Sequence, residues 1–153
     1  MKKRGFEIVE ESMRKTVGEV TLPTRSTKNS AGYDFYAPFD IVIAPYSSTT
    51  IIPTDIKAYM SHDEVLLLFV RSSIGMKKGL ALSNGTGVID SDFYSNPDND
   101  GNIGFSLRNL TDNVVAIKKG ERIIQGVFIK YLTADDGNTE EERVGGIGST
   151  GEL

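Results

Sequence analysis

The segment from Asn84 to Phe93, Asn-Gly-Thr-Gly-Val-Ile-Asp-Ser-Asp-Phe, has the residue types of a small catalytic pocket. Its two glycines allow the backbone to approach a flat ligand closely. Val88 and Ile89 predict a short buried strand, and Asp90 follows them as a carboxylate on a rigid scaffold that can act as a base. Asparagine, glycine and aspartate are also common in tight turns, so the local pattern equally fits a turn that Asp90 caps.

Basic side chains stand beside glycine- and serine-rich loops, although the formal net charge of the chain is −4. This charge argues against binding to a nucleic-acid polymer, because such binding depends on a basic surface. Loops that combine arginine or lysine with glycine and serine suit a compact anion such as a triphosphate. The basic residues concerned are Arg71, Lys77, Lys78, Arg108, Arg122 and Arg143.

The length of 153 residues and the hydrophobic content of 39% predict one globular domain with a substantial core. No apolar run approaches the roughly 20 residues of a membrane helix, so we expect no membrane partner and a cytoplasmic location. Cysteine is absent, which excludes disulfides and thiol chemistry. The single histidine, His62, lies in a polar turn and is expected to be solvated.

Short strand-like runs separated by Gly, Pro, Asn, Asp and Ser dominate the chain, and helix signals are few. This pattern predicts an all-β sandwich or barrel, and the 16 glycines suit its many tight turns. The predicted strands are Phe6–Val9, Glu19–Leu22, Ile41–Ile43, Thr49–Ile52, Val65–Val70, Leu80–Leu82, Ile103–Leu107, Val114–Ile117 and Ile123–Tyr131.

The composition divides the chain into a β domain, residues 1–132, and a C-terminal arm, residues 133–153. Residues 133–142 are nearly devoid of apolar side chains and predict a mobile linker. The glycine-rich tail from Arg143 to Gly151 carries an arginine and two hydroxyl side chains. Such a tail fits either a frayed terminus or a clamp that wraps a phosphate with N–H groups, hydroxyls and a cation.

Five segments, in chain order, resemble the motifs of the homotrimeric dUTPase family of phage or bacterial type. Each segment alone is ordinary turn sequence, but their order makes the resemblance specific. The segments are Ala31–Ala37, Arg71–Gly75, Gly87–Phe93, Gly120–Gln125 and Gly145–Gly151. The resemblance implies a distorted jelly-roll β-barrel with a flexible C-terminal arm. It also implies a homotrimer in which one chain supplies the second and fourth motifs of each site, a neighbour the third, and the remaining chain the arm.

The activity that the resemblance implies is hydrolysis of dUTP to dUMP and diphosphate. Asp90 is then the general base for the water that attacks the α-phosphorus. Mg²⁺ is implied as cofactor, held chiefly by the phosphates and by water, which suits its reluctance to dehydrate. No direct protein ligand to the metal is predicted, because no dense carboxylate cluster is visible in the sequence.

The resemblance also implies a role for each residue of the site. The uracil and deoxyribose are expected to contact Asn84, Gly87, Val88, Ile89, Phe93 and Tyr94. The phosphates are expected to contact Arg71, Ser72, Ser73, Gln125, Arg143, Ser149 and Thr150. Asp34 and Arg122 are expected to form a bracing pair, and Asp92 is assigned to a structural ion pair with an arginine as the candidate partner.

Two features depart from the family pattern. The first departure is in the C-terminal motif. Ile147 stands where the family usually has an aromatic lid over the uracil, and Arg143 is one residue closer to the glycines than usual. The second departure is the insertion Tyr94–Asp100. We interpret it either as a benign hairpin extension or as a device that moves Tyr94 over the pocket, where Tyr94 or Phe93 replaces the missing lid.

Two other functions stay open at this point. A dCTP deaminase shares the fold, although no pocket acid is visible for removal of the amine. A regulatory binding protein that responds to the nucleotide is the alternative of another class, and the insertion is then the predicted surface for a regulatory protein partner.

Overall fold

Short β-strands make up nearly all regular structure in the computed structural model, which describes residues 1–145. The strands are β1 (Gly5–Ile8), β2 (Thr24–Arg25), β3 (Tyr33–Tyr36), β4 (Ile41–Ile43), β5 (Ile52–Pro53), β6 (Ile56–Tyr59), β7 (Glu64–Val70), β8 (Leu80–Leu82), β9 (Gly87–Asp90), β10 (Gly104–Phe105), β11 (Leu107–Asn109), β12 (Val115–Ile117) and β13 (Arg122–Lys130). A short helix α1 (Ser72–Met76) and two 3-10 turns (Glu11–Met13 and Ser91–Phe93) complete the described elements. The all-β prediction is confirmed. Among the described residues, no helix has the length and apolarity needed to cross a membrane.

The central sheet has the strand order β2-β3-β13-β7-β9, and every neighbouring pair is antiparallel. Strand β7 reads Glu-Val-Leu-Leu-Leu-Phe-Val, a nearly continuous apolar run typical of a strand covered on both faces. It pairs along its whole length with β13. On its other side Leu68 lies opposite Gly87 and Val65 opposite Asp90, so this register fixes the position of the candidate base.

Four two-stranded sheets, β1-β6, β5-β10, β8-β11 and β4-β12, close the remainder of the fold. Side chains from these sheets and from the central sheet meet in a single apolar core. Its fully buried members include Phe35, Leu66, Leu107, Ile123 and Ile124.

The predicted strand Glu19–Leu22 is wrong, because it forms no regular structure, and the predicted strand Thr49–Ile52 is a strand only at Ile52. Three strands were missed, β2, β3 and β6. Strand β3 contains Asp34, a residue type depleted in strands, and its carboxylate is buried because arginine and serine side chains bond to it. The prediction of a solvated His62 is confirmed, since this residue is exposed.

The described part of the arm, residues 133–145, has no strand or helix. Residues 133–142 are all exposed, and the chain becomes partly buried again at Arg143 and buried at Gly145. The arm therefore leaves the β domain and returns to it at the arginine.

Candidate active site

A cleft of about 450 Å³, here called the hairpin cleft, opens where two paired strands separate. Leu82 of β8 lies opposite Leu107 of β11, and the next rung is the Ser83 N–H, which donates to the Ser106 carbonyl at 2.9 Å. Beyond that rung β9 pairs with β7, whereas β10 pairs with β5. The cleft is lined by Ile51, Leu68, Leu82, Ser83, Asn84, Gly87, Val88, Ile89, Asp90, Phe93, Gly104, Phe105, Ser106 and Arg143.

Glycine at two positions shapes the turn that enters β9. Gly85 has φ +77°, a conformation that side-chain-bearing residues rarely adopt. A Cβ at Gly87 would lie 2.9 Å from the Leu68 Cβ, so β9 approaches β7 this closely only with glycine. The prediction of a buried strand is half wrong: Val88 is 60% exposed, because β9 is the edge strand of its sheet. The cleft therefore presents open backbone, as a pocket for a flat ligand requires.

Asp90 and Asp92 share one arginine at the rim of the hairpin cleft. The Arg143 guanidinium donates from Nη2 to Asp90 Oδ2 at 2.5 Å and from Nε to Asp92 Oδ1 at 2.7 Å. It also lies 5.8 Å from the centre of the Phe93 ring. Asp92 does not follow Asp90 on an extended strand, because β9 ends at Asp90 and a 3-10 turn begins at Ser91. The ion pair expected for Asp92 is present, and its partner is the arm.

A second cleft of about 400 Å³, the Asp34 cleft, collects three of the seven residues expected at the phosphates, Arg71, Ser72 and Gln125. The Asp34 carboxylate is held by Arg71 Nε at 3.1 Å, by Arg122 Nη1 at 3.6 Å and by the Ser26 hydroxyl at 2.7 Å. The expected Asp34–Arg122 pair is therefore present, and Arg71 joins it. The cleft is lined by Ser26, Ser30, Ala31, Gly32, Asp34, Phe69, Arg71, Ser72, Gln125 and Val127.

Ser72 and Gln125 face the Asp34 cleft, but Ser73 does not line it. The two serines follow one another at the start of α1, where each residue turns the side chain by about 100°. The Ser73 carbonyl instead accepts the N–H groups of Lys77 and Lys78. Direct contact between the Ser73 side chain and a ligand in this cleft is therefore not supported.

Asp90 and Arg71 lie at opposite ends of β7, and the two clefts lie on opposite faces of its sheet, because Leu68 lines one and the next residue, Phe69, lines the other. Asp90 is opposite Val65, and Arg71 follows six residues further along the same strand direction. At about 3.3 Å per residue this places them roughly 20 Å apart within one chain. The hairpin with its carboxylate and the loop with its arginines and hydroxyls therefore do not form one continuous pocket in a single chain.

The lid proposed for Tyr94 is wrong, because its side chain points away from the hairpin cleft. Its hydroxyl donates to Glu7 Oε1 at 2.5 Å, and its ring packs over Lys57 Nζ at 4.8 Å. The hydrogen bond to Glu7, together with burial, raises the pKa of the Tyr94 hydroxyl. Tyr94 thus belongs to the contacts of β1 and β6, whereas the neighbouring Phe93 is buried and lines the cleft.

The rest of the insertion is also folded against its own chain. Asp100 accepts bonds from Lys57 Nζ and from the Glu10 N–H, both at 2.8 Å. Asn96 is buried, and its amide nitrogen donates to Asn99 at 3.1 Å. These contacts fit the interpretation of Tyr94–Asp100 as a structural extension.

Seven lining residues of the hairpin cleft were missed by sequence reasoning: Ile51, Leu68, Leu82, Ser83, Gly104, Phe105 and Ser106. They come from four separate stretches of chain that only strand pairing brings together. The available signal was Gly104, a glycine inside a predicted strand, which often marks close approach of a ligand or another backbone.

Three predicted site residues, Ile147, Ser149 and Thr150, lie outside the described residues. Within residues 1–145, no group of three or more histidine, cysteine, aspartate or glutamate side chains is arranged to hold a metal ion.

Open hairpin backbone beside a carboxylate suits a flat ligand, and the arginines and hydroxyls of the second cleft suit an anion. The chain belongs to the dUTPase family, whose model matches residues 18–151. A deoxyuridine 5'-triphosphate nucleotidohydrolase from Lactococcus lactis subsp. lactis is 52% identical over 153 residues, 99% of each chain. The protein of that name from Shigella flexneri serotype 5b is 32% identical over 159 residues, again 99% of each chain.

Solved structures show the same fold. The crystal structure of the dUTPase from Streptococcus mutans superposes with a TM-score of 0.75 at 43% identity, over 86% of this chain and 99% of that one. A mutant dUTPase from phage phi11 of S. aureus, whose structure describes the coordination of a structural Mg(II) ion, gives a TM-score of 0.67 at 22% identity, over 92% of this chain and 98% of that one. The predicted dUTPase-like jelly-roll is confirmed.

Proposed function

We propose that this protein is a dUTP diphosphatase that hydrolyses dUTP to dUMP and diphosphate. The observation that carries the proposal is the position of Asp90, at the rim of a cleft whose walls are open backbone. The full-length similarity to nucleotidohydrolases from two bacteria supports the same substrate. We expect the enzyme to act in the cytoplasm.

The reaction requires a water molecule that attacks the α-phosphorus in line with the leaving diphosphate. Asp90 accepts a proton from this water while the water oxygen forms the new bond to phosphorus. The bond between the α-phosphorus and the bridging oxygen to the β-phosphate breaks, and the electron pair leaves with diphosphate. The half-exposed Asp90 side chain, fixed at the end of β9, leaves room for a water at hydrogen-bonding distance.

The uracil ring is proposed to enter the hairpin cleft between β9 and β10. Uracil has two carbonyl acceptors and one N–H donor, which backbone N–H and C=O groups can match. Cytosine reverses this pattern at its amino edge and leaves buried groups unpaired, at roughly 1–3 kcal/mol for each. Phe93 is placed to pack beneath the deoxyribose.

Mg²⁺ is the cofactor we propose, bound mainly through the substrate. The Asp34 cleft has a single carboxylate, which is already bonded to two arginines and a serine, so its donor set fits a metal that arrives with phosphates and water. When bound, Mg²⁺ would neutralise negative charge on the phosphates. Arg71, Ser72, Gln125 and Arg143 then supply donors to the phosphate oxygens.

A complete site needs more than one copy of the chain. The α-phosphorus must lie beside the water on Asp90, so the adjacent phosphates cannot bind a loop roughly 20 Å away on the same chain. The separation of the two clefts supports the homotrimer with shared sites that the family resemblance implies.

A regulatory protein partner at the insertion stays a prediction from the sequence, and the inward contacts of Tyr94 and Asp100 do not favour it.

Diphosphate release from dUTP, dCTP, dTTP and UTP tests the substrate. We expect turnover of dUTP far above that of the other three, whereas ammonia release from dCTP would identify a deaminase instead.

The shared site is tested by mixing two inactive variants, Asp90→Asn and Ser72→Ala. Subunit exchange should restore part of the activity, because some sites in mixed trimers combine an intact Asp90 with an intact Ser72. No recovery after verified exchange would contradict a site divided between chains.

A further inference from the structure

Two serine side chains, Ser83 and Ser106, meet at the closed end of the hairpin cleft and have no part in the proposed reaction. Both residues line the cleft, and their hydroxyl oxygens lie 2.6 Å apart. Their backbones form the last rung before the strands separate, in which the Ser83 N–H donates to the Ser106 carbonyl. The contact between the two hydroxyls therefore lies at the depth where a ligand that enters between β9 and β10 must stop.

A third residue, Thr49, fixes the direction of the hydrogen bond between the two hydroxyls. The Ser106 hydroxyl lies 2.8 Å from the Thr49 carbonyl, which can only accept, so the single hydroxyl hydrogen of Ser106 is donated there. In the remaining contact Ser83 must then be the donor and Ser106 the acceptor. Thr49 is held in place by Leu107, because its N–H donates to the Leu107 carbonyl and its hydroxyl accepts the Leu107 N–H. The chain of hydroxyls thus begins at a fixed backbone carbonyl and ends at Ser83.

This arrangement leaves Ser83 with the capacity to accept but not to donate. A serine hydroxyl has one hydrogen and two lone pairs, and it usually rotates to suit either kind of partner. The hydrogen of Ser83 is committed to Ser106, whereas the residue is exposed at the wall of the cleft. A ligand group that contacts the Ser83 hydroxyl from the cleft must therefore be a donor.

We propose that Ser83 is a specificity-determining residue that accepts the N3–H of uracil. This inference rests on the proposed function, which places the base in the hairpin cleft. The sugar and phosphates on N1 must reach the water on Asp90 at the rim, so the opposite edge of the ring, with N3 and O4, points to the closed end. N3–H is the one hydrogen-bond donor of the uracil ring, and Ser83 supplies its acceptor.

The same oxygen disfavours cytosine. The N3 atom of cytosine has a lone pair and no hydrogen, so it would face the lone pairs of Ser83 and leave both groups unpaired. A serine that was free to rotate would accept either base, because it could turn its hydrogen toward cytosine. Ser106 is therefore a positioning residue that acts through Ser83, since it keeps the Ser83 hydroxyl in its accepting orientation.

The experiment measures the affinities of non-hydrolysable dUTP and dCTP analogues for the full-length protein by calorimetry, and the ratio of the two affinities. Ser83→Ala removes the acceptor, Ser106→Ala releases the Ser83 hydroxyl from its partner, and Ser106→Thr keeps the hydroxyl at position 106. Ser47→Ala is the matched control. The Ser47 hydroxyl also donates to a backbone carbonyl, that of Pro45 at 3.2 Å, but Ser47 does not line the hairpin cleft.

Ser83→Ala should weaken binding of the dUTP analogue about tenfold, because a buried N–H loses its acceptor, and should change binding of the dCTP analogue much less. Ser106→Ala should leave the dUTP affinity within about threefold of wild type but strengthen the dCTP analogue about tenfold, since Ser83 can then donate. Ser106→Thr and Ser47→Ala should keep the wild-type ratio. A structural role alone would instead weaken both analogues by the same factor.

Three outcomes would overturn the proposal. The first is an unchanged affinity of Ser83→Ala for the dUTP analogue. The second is a wild-type affinity ratio in Ser106→Ala, with or without weaker binding of both analogues. The third is a wild-type protein that does not prefer the dUTP analogue. Calorimetry requires no turnover, so a protein that binds the dUTP analogue selectively but releases no diphosphate would refute the proposed activity and leave the role of Ser83 intact.

Discussion

Lys57 and Asp100 form a buried ion pair, with 2.8 Å between Nζ and Oδ2, that fastens the insertion to strand β6. Both residues are less than a tenth exposed, and the same Asp100 oxygen also accepts the Glu10 N–H. Asp100 lies seven residues after Phe93, so the ion pair anchors the segment that follows this lining residue of the hairpin cleft. It connects the N-terminal segment, β6 and the insertion in one place.

Removal of one partner of this ion pair should be strongly destabilising, because the other charge stays buried without compensation. We expect Asp100→Asn to lower the free energy of unfolding by about 3 kcal/mol. The double variant Lys57→Met with Asp100→Asn should recover much of the loss, since neither charge is then buried and the amide oxygen can still accept the Glu10 N–H. Urea denaturation of the two variants measures the effect, with Asp98→Asn, at an exposed carboxylate of the insertion, as the control. A double variant no better than the single one would contradict this account.

The stability of the protein should depend on pH through Asp55. Burial of this carboxylate acts to raise its pKa, but hydrogen bonds from Thr16, Lys15 and Asn102 outweigh burial, and the pKa is lowered. A carboxylate with a lower pKa in the folded state stabilises that state above its unfolded pKa of about 3.9, and the contribution is lost as the pH falls through the folded pKa.

Asp55→Asn should therefore cost about 2–3 kcal/mol at pH 7 and less at pH 3, which lies below the unfolded pKa. Urea denaturation of the variant and of wild type at the two pH values gives the comparison. An equal cost at both pH values would mean that packing, not charge, makes the contribution of Asp55.

Gly32 should be required for the position of Gln125 in the Asp34 cleft. The Gln125 amide oxygen and Cβ occupy the space that a Cβ at position 32 would need. Gly32→Ala should displace this side chain and raise KM for dUTP about tenfold, through loss of one hydrogen bond to a charged group. Gln125→Ala should have a similar effect, and the double variant should be little worse than either single variant. Additive effects would show that Gly32 acts elsewhere.

Asp90→Asn separates catalysis from binding. The amide keeps the shape of the side chain but cannot accept a proton from water, so kcat should fall by about 10²- to 10⁴-fold. The variant should still bind a non-hydrolysable dUTP analogue in calorimetry and keep its oligomeric state in analytical ultracentrifugation. An unchanged kcat would eliminate Asp90 as the base.

Phe93 and Tyr94 are adjacent but should respond differently to substitution. Tyr94→Phe removes the hydrogen bond to Glu7 and should lower the free energy of unfolding by about 1–3 kcal/mol, with KM for dUTP unchanged. Phe93→Leu should raise KM, because Phe93 lines the hairpin cleft. Tyr94→Leu, which removes the ring, should also leave KM unchanged, and a rise in KM equal to that for Phe93→Leu would restore Tyr94 as a lid.

The family, the all-β fold and the two groups of site residues were predictable because local sequence carries them. The residues from Asn84 to Gly87 are common in tight turns, but their continuation into Asp90 is a contiguous motif, and its place among five segments in chain order made the resemblance specific. The Asp34–Arg122 pair also followed from two motifs. In contrast, Gly104 and Ser106 join the site only because β8 and β11 pair and then separate, which no local pattern reports.

The orientation of Tyr94 was not predictable for a related reason. Its partners Glu7, Lys57 and Tyr59 are remote in sequence. Their hydrogen bond, cation contact and ring contact hold the Tyr94 side chain away from the neighbouring hairpin cleft. The strand predicted at Glu19–Leu22 failed because β-propensity without a neighbouring strand leaves backbone groups unpaired.

The separation of β8 from β11 has a consequence for how selectivity can change. The two walls of the hairpin cleft belong to different sheets, one held by β7 and the other by β5. The width of the slot for the base is therefore the distance between two backbones, and side chains behind them set that distance. Leu68, against which Gly87 packs, and Ile52, opposite Phe105, act as spacers. Substitutions at these spacers should alter which bases fit without touching any group that recognises them.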